Sequence, residues 1–149
     1  SVSAGTIYNY YESKADLLSD TIESIWHEIF FHPEDEQVFH DVESCISWIY
    51  ERLEYGNSQF PGFFSLHSFG FMRDEKTSGK KKMMQTWGHI LNGLCEVLGN
   101  DSKVRSDVFD QEFTEKKFAD ILFSLILVSM IRQDYDPSSV LMLVKKTLY

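Results

Sequence analysis

The chain has 149 residues with a formal net charge of −9, and 43% of its residues are hydrophobic. This composition is that of an ordinary globular domain and excludes a wholly disordered chain. Because neutralising phosphates requires Lys and Arg, the negative charge argues against general nucleic-acid binding by these residues as a whole.

Neither the cysteines nor the apolar segments point to an exported or membrane protein. Cys45 and Cys95 lie far apart and form no disulfide framework, which favours a reducing compartment. The longest apolar stretch, 121–131, is shorter than the roughly 20 residues that a membrane span needs. No basic segment followed by an apolar one opens the chain. We therefore expect a cytoplasmic protein without a membrane partner.

Apolar residues at helical spacing, with few Pro and Gly between them, predict an all-α fold. A short helix is expected over 4–11, followed by a long helix from a capping box at Ser13 to about Phe31. Pro33 should end that helix and open an acidic connector. The next helix is expected to end at Gly56, and the helix after 80 at Gly99. These two helices are predicted over 41–55 and 80–98, and further helices over 61–72, 114–133 and from 137 to near the end.

The motifs of common catalytic and metal sites are missing from the sequence. No two of the five histidines are four residues apart, and none follows a Glu by three residues. The sequence also lacks a C-x-x-C pair, a phosphate-binding glycine loop and a nucleophile elbow. We expect no enzyme, and hence no catalytic residues, no metal site and no cofactor.

The stretch 2–18 carries the most specific signal. It predicts a short helix, a tight turn and the capped start of a long helix. We expect Thr6, Asn9 and Tyr10 on the exposed face of the short helix, where they would be able to hydrogen-bond to base edges or phosphates. Lys14 lies in the first turn of the long helix, where a cation is unfavourable for the helix dipole unless a phosphate is near.

Residues 2–18, which read VSAGTIYNYYESKADLL, resemble the TetR family of bacterial transcriptional regulators. The family pattern V-S-x-G-T-[IL]-Y-x-[YH]-F-x-[SN]-K-x-x-L-L marks the second helix of a helix-turn-helix and the start of the next helix. The one departure is Tyr11, where Phe is usual. The resemblance implies the remnant of a helix-turn-helix DNA-binding domain with its linking helix over 1–31, and a helical ligand-binding and dimerisation domain over 32–149. Two helices precede this motif in the family, so we expect an N-terminally truncated chain whose basic DNA-binding residues lie mostly in the missing part.

The resemblance also implies which residues contact DNA. The start of the recognition helix would face the major groove, its middle would reach bases or phosphates, and Lys14 would hold a backbone phosphate. As alternatives, Tyr8 and Tyr10 pack against the long helix, and Thr6 and Asn9 are solvated surface. The full predicted DNA-binding set is Ser3, Ala4, Gly5, Thr6, Tyr8, Asn9, Tyr10 and Lys14.

A second group of residues, rich in aromatic side chains and Met, predicts a pocket in the regulatory domain. Pockets for small molecules are mostly apolar and aromatic, and Met adapts to varied ligands. We expect a small apolar or aromatic effector there. The alternative is that these side chains form ordinary core. The predicted pocket residues are Trp48, Phe63, Phe64, His67, Phe71, Met84 and Trp87.

The segment 121–131 is apolar on all sides, and such a helix requires burial all round. A second chain related by a two-fold axis would cover one face, together with a stripe on the last helix. The alternative is a central core helix within a monomer. The predicted dimer-interface residues are Ile121, Leu125, Val128, Leu141, Val144 and Leu148.

Together these features predict a TetR-type DNA-binding transcriptional regulator, a repressor that a small effector releases. Its partners would be operator DNA, bound by the complete protein, and a second copy of the chain. The alternative function is a helical dimerisation or protein-interaction module without effector or DNA activity. A subset of the family binds a partner protein or no effector at all.

Overall fold

The computed structural model describes residues 14–64 and 78–149, and every regular element within these ranges is a helix. The predicted all-α fold is therefore confirmed. Of the predicted helix 61–72, residues 61–64 form turns, and the rest of it lies outside the described residues, as does the predicted helix 4–11. The elements are α1 (Lys14–Phe30), a 3-10 helix (Pro33–His40), α2 (Val42–Gln59), α3 (Ser78–Asn100), α4 (Glu115–Arg132) and α5 (Ser138–Leu148).

The helices enclose one core, built from the apolar stripes that helical spacing predicts. Ile22, Trp26 and Ile29 form the buried stripe of α1. Helix α1 packs against α2 and α3, α3 packs against α4, and α5 packs against α2. Fully burying each such side chain contributes about 1.5–3 kcal/mol. The predicted domain boundary after residue 31 follows the end of α1, and α1 shares its core with the helices beyond that boundary.

Three helix boundaries differ from those that the glycines and prolines predict. Helix α2 continues through Gly56 to Gln59, and α3 includes Gly99. The acidic connector is largely a 3-10 helix, with Pro33 in its first turn. Pro137 is the N-cap of α5 and not its first helical residue. The prediction for α4 is confirmed, since α4 begins after Thr114, whose side chain accepts a hydrogen bond from the Lys117 N–H.

Gly56 lies at the contact between α1 and α2, which is why it does not end the helix. It is buried, and a Cβ atom there would lie 2.6 Å from Ile29 Cδ1 and 3.1 Å from Phe64 Cζ. Both of those side chains are themselves fully buried. Gly56 therefore serves close packing between two helices.

Asp101 joins three parts of the fold through its buried carboxylate. It accepts hydrogen bonds from the Val42 N–H (3.0 Å), the Lys103 N–H (2.9 Å) and the Tyr149 hydroxyl (2.6 Å). Val42 is the first residue of α2, and a negative charge at a helix N-terminus is stabilising. Burial and the hydrogen bond to Asp101 raise the pKa of Tyr149, so its hydroxyl stays a donor. Asp101 thus ties the end of α5 to the beginning of α2.

We expect Asp101→Ala to lower the free energy of unfolding by about 2–4 kcal/mol, because it leaves the buried N–H of Val42 and the Tyr149 hydroxyl without an acceptor. Urea unfolding measures the change. Asp107→Ala is the matched control, since Asp107 is exposed and its ion pair with Arg105 contributes little. Equal stability of the two variants would contradict the role of Asp101.

Two Gly→Ala substitutions should have opposite signs. At Gly56 the new methyl group overlaps Ile29, and overpacking of about 1–3 kcal/mol exceeds the gain in helix propensity. At Gly88 a Cβ meets nothing within 4 Å, so Gly88→Ala should stabilise the protein by about 0.5–1 kcal/mol. Thermal and urea unfolding would test both. A stabilised Gly56→Ala variant would show that α1 and α2 are not closely packed there.

Candidate functional site

A cavity of about 500 Å³ lies among α1, the 3-10 helix, α2 and α3. Its volume falls within the range of pockets that hold small organic molecules. Helix α1 lines it from Glu23 to Phe30, α2 from Cys45 to Ile49, and α3 from Gln85 to Leu94. Phe31 and Phe39 complete the wall.

Four aromatic rings line the cavity as a connected series, which we call the ring series: Trp26, Phe30, Trp48 and Phe39. The ring centroids of Trp26 and Phe30 are 5.8 Å apart, with nearly parallel planes. The Trp48 ring stands at 60° to Phe30 and at 67° to Phe39, with centroids 6.2 and 5.7 Å away. These are preferred distances for aromatic pairs. The Trp48 indole is fixed further by its N–H, which donates to Asp35 Oδ2 at 2.8 Å.

The polar groups at the cavity come from α1 and α3, and the described lining residues include neither Lys nor Arg. Glu23 is their only carboxylate. The thiol of Cys45 also lines the cavity, but burial raises its pKa to about 12, so it is a poor nucleophile. The arrangement therefore suits binding better than thiolate chemistry. The polar side chains are Glu23, His27, Gln85, Thr86 and His89.

Of the predicted pocket residues, the structure places only Trp48 at this cavity. Phe63 and Phe64 pack against Trp26 and are not among its lining residues. The side chain of Met84 is half exposed, and Trp87 packs edge-on against Phe123 of α4. These four residues do not line this cavity, because aromatic content does not tell which side chains face a gap, and their role in a pocket stays a prediction. His67 and Phe71 lie outside the described residues.

One contribution to the cavity that the sequence does not predict comes from α1. Glu23, Trp26, His27 and Phe30 line the cavity, whereas α1 was expected only to link two parts of the protein. The signal was present in the sequence, because Trp26 and Phe30 are four residues apart and share a face. On α3 the lining residues, such as Gly93, follow the same rule and lie at helical spacing.

Arg52 of α2 fastens the C-terminal end of α1 beside the cavity. Its Nε donates to the Ile29 carbonyl at 2.6 Å and its Nη2 to the Glu28 carbonyl at 3.1 Å. A cation at these unpaired carbonyls also complements the helix dipole. The Arg52 guanidinium stacks over the ring of Tyr55, whose hydroxyl donates to Glu28 Oε1 at 3.0 Å. The last turn of α1 is therefore attached directly to α2.

His32 completes this cap and belongs to the one close group of metal-type ligands within 14–64 and 78–149. His32 Nε2 lies 2.7 Å from Arg52 Nη2 and 2.9 Å from the Glu28 carbonyl oxygen, and His32 Nδ1 lies 2.9 Å from Glu34 Oε1. The third member, Asp35, accepts from Trp48. Because these groups already serve as hydrogen-bond partners within the chain, the cluster acts as structure and does not point to a metal.

The predicted DNA-binding residues cannot be placed within this architecture. Those from Ser3 to Tyr10 lie outside the described residues. Lys14 begins α1, but its side chain is outside the described set. DNA contact by these residues therefore stays a prediction.

The predicted dimer-interface residues divide into three groups. Val144 and Leu148 are fully buried within their own chain, where α5 packs against α2, so the expectation that they contact a partner is corrected. Leu125 and Leu141 are half-buried. Ile121 and Val128 are exposed by 45% and 48%, on the side of α4 opposite its buried stripe.

Comparisons with known proteins returned no match, whether against protein-family models, curated proteins or solved structures. Within the described residues, no helix combines the length and apolar character that crossing a membrane requires.

Proposed function

We propose that this protein is a TetR-type transcriptional regulator whose DNA binding responds to a small molecule in the cavity. One observation carries the proposal: the helix that supplies much of the cavity wall, α1, is also the helix in which the TetR-like motif ends. A ligand in the cavity contacts Trp26 and Phe30, about three to four turns along α1 from Lys14. Ligand site and DNA-reading motif would therefore share one helix.

The physical basis of the response is differential affinity. A ligand shifts an equilibrium only if it binds one conformation better than the other. In a dimer that reads successive major grooves, the two recognition helices must lie about 34–36 Å apart. If the ligand favours an orientation of α1 that gives another separation, it lowers the affinity for DNA, and DNA lowers the affinity for the ligand by the same factor.

A second copy of the chain is the partner that fits the exposed apolar side of α4. Ile121, Val128 and Ile131 recur at helical spacing and are each more than two-fifths exposed. A two-fold axis sets such a strip against its own copy, so that no other protein of matching shape is required. Dimerisation also supplies the second recognition helix.

DNA binding should depend on the motif and be coupled to the cavity. We expect the full-length protein to shift DNA from upstream of its own gene in a gel assay at defined salt. Replacing Thr6, Tyr10 and Lys14 by Ala should abolish the shift, because these side chains would contact bases and phosphates. Lys146→Ala, a remote exposed cation on α5, is the control. The neutral probe N-phenyl-1-naphthylamine should release the DNA.

The cavity is tested by Gly93→Leu, whose side chain extends into the lining. A Cβ at Gly93 meets only Phe39 Cε1 at 3.8 Å, so the helix accepts the substitution. This variant should bind DNA but resist release by the probe, whereas Gly88→Leu, in open space, should behave as the wild type. DNA binding without release would favour a regulator lacking a small effector. No DNA binding would favour the dimerisation module.

The dimer should be visible in sedimentation as a species of twice 17.4 kDa. Val128→Glu places a charge in the proposed interface and should shift the protein towards monomer by at least about tenfold in dissociation constant, because the charge would be desolvated there. Lys116→Glu, exposed at the beginning of the same helix, is the control. A wild-type monomer at micromolar concentration would contradict the interface.

A further inference from the structure

We infer that the cavity selects organic cations, such as quaternary ammonium compounds with an apolar body, over neutral or anionic molecules of the same shape. The inference rests on the proposed role of the cavity as a ligand site and deepens it by naming the ligand class. It comes from the ring series, the charges of the lining residues and the hydrogen bond that holds Trp48.

The ring series gives the cavity wall side chains that attract cations. A cation is attracted to a ring when it lies within about 6 Å of the centroid, and Trp gives the strongest attraction. Neighbouring centroids in the ring series are 5.7–6.2 Å apart, the spacing of rings in direct contact, so a cation would lie beside two neighbouring rings and not between them. The planes of Phe30 and Phe39 are inclined at 60° and 67° to that of Trp48, so the rings form angled surfaces and not one flat wall.

The charges around the cavity have the sign that a cation requires. Glu23 is the only carboxylate among the described lining residues, and none of them is Lys or Arg. An anionic ligand would therefore lose its hydration in the cavity without gaining a cationic partner, which has a large free-energy cost. The −9 charge of the chain adds a field that attracts cations. His27 and His89 offer ring nitrogens, which are neutral in the unprotonated form and do not oppose a cation.

The hydrogen bond from Trp48 to Asp35 strengthens the same preference. The Asp35 carboxylate accepts from the indole Nε1–H at 2.8 Å, in a partly buried position. Hydrogen bonding to an anion polarises the donor group, which leaves the indole ring more electron-rich. Asp35 thereby fixes a tryptophan ring of the ring series and increases its attraction for positive charge.

A matched pair of probes tests the inference in the full-length protein. Benzyltrimethylammonium and neopentylbenzene have the same shape and differ in a nitrogen cation and a carbon atom. Each is titrated against bound N-phenyl-1-naphthylamine, and Trp fluorescence reports binding directly. We expect the ammonium compound to bind at least about tenfold more tightly than its carbon isostere. Phenylacetate, an anion, should not compete.

Two variants test the origin of the preference. The measured quantity is the ratio of the affinities for the ammonium compound and its carbon isostere. A partial loss of protein stability lowers both affinities equally and leaves this ratio unchanged. Phe30→Leu keeps an apolar side chain but removes a ring, and should reduce the ammonium-to-isostere ratio severalfold. Glu23→Gln should reduce it also, whereas Glu96→Gln, exposed on α3, should not. Gly93→Leu should weaken both probes, which places them in the cavity.

The outcomes separate this inference from the proposed function. Equal affinity for the two probes, or displacement by phenylacetate alone, would overturn the preference for cations while leaving the cavity a ligand site. If N-phenyl-1-naphthylamine binds and neither probe displaces it, the preference for cations is also overturned and the cavity remains a ligand site. If none of the compounds binds, both the cation preference and the ligand-responsive function are wrong.

Discussion

The contact of Ile29 with the bare backbone of Gly56 sets the position of α1, and much of the remaining structure depends on it. A Cβ at Gly56 would leave only 2.6 Å to Ile29, so the two helices approach as closely as side chains permit. The next residue of α1, Phe30, contacts Trp48, which precedes Gly56 by eight residues on α2. Eight residues of helix span about 12 Å. The two contacts therefore lie about two turns apart on α2, and the cavity that α3 and the 3-10 helix complete borders the ring contact.

Polar groups at helix ends hold this arrangement in register. Arg52 satisfies the last carbonyls of α1, and Asp101 satisfies the first N–H of α2. Between them, the Tyr50 hydroxyl lies 2.7 Å from Ser129 Oγ, which in turn donates to the Leu125 carbonyl. Each of these bonds joins groups that would otherwise be unpaired near the core, where an unpaired polar group is costly. They fix which residues of α2 face α1, and thereby which rings meet at the cavity.

The all-α fold and most helix positions could be predicted from spacing alone, because the burial of one stripe per helix is a local signal. The end of α2 could not be predicted, because the sequence does not distinguish a glycine that ends a helix from one that lets a second helix pack closely, as Gly56 does. The cavity was harder still. Its residues are not the most aromatic segment of the chain but the inner faces of three helices. Phe63 and Phe64, next to each other in sequence, pack against Trp26 instead. Gaps between elements depend on tertiary distances that a single sequence does not carry.

The same geometry explains why α1 would transmit a signal in the proposed regulator. Its C-terminal end is held by Arg52 and by the Ile29–Gly56 contact, so any reorientation has its fixed point there. Trp26 and Phe30 lie within about one turn of that point, whereas Lys14 is about 22 Å away along the helix. A small rotation that adjusts the rings to a ligand therefore displaces the distant end of α1 several times further. Because the rings pack closely against one another, the proposed response to a ligand would be such a rotation and not a local deformation of the cavity.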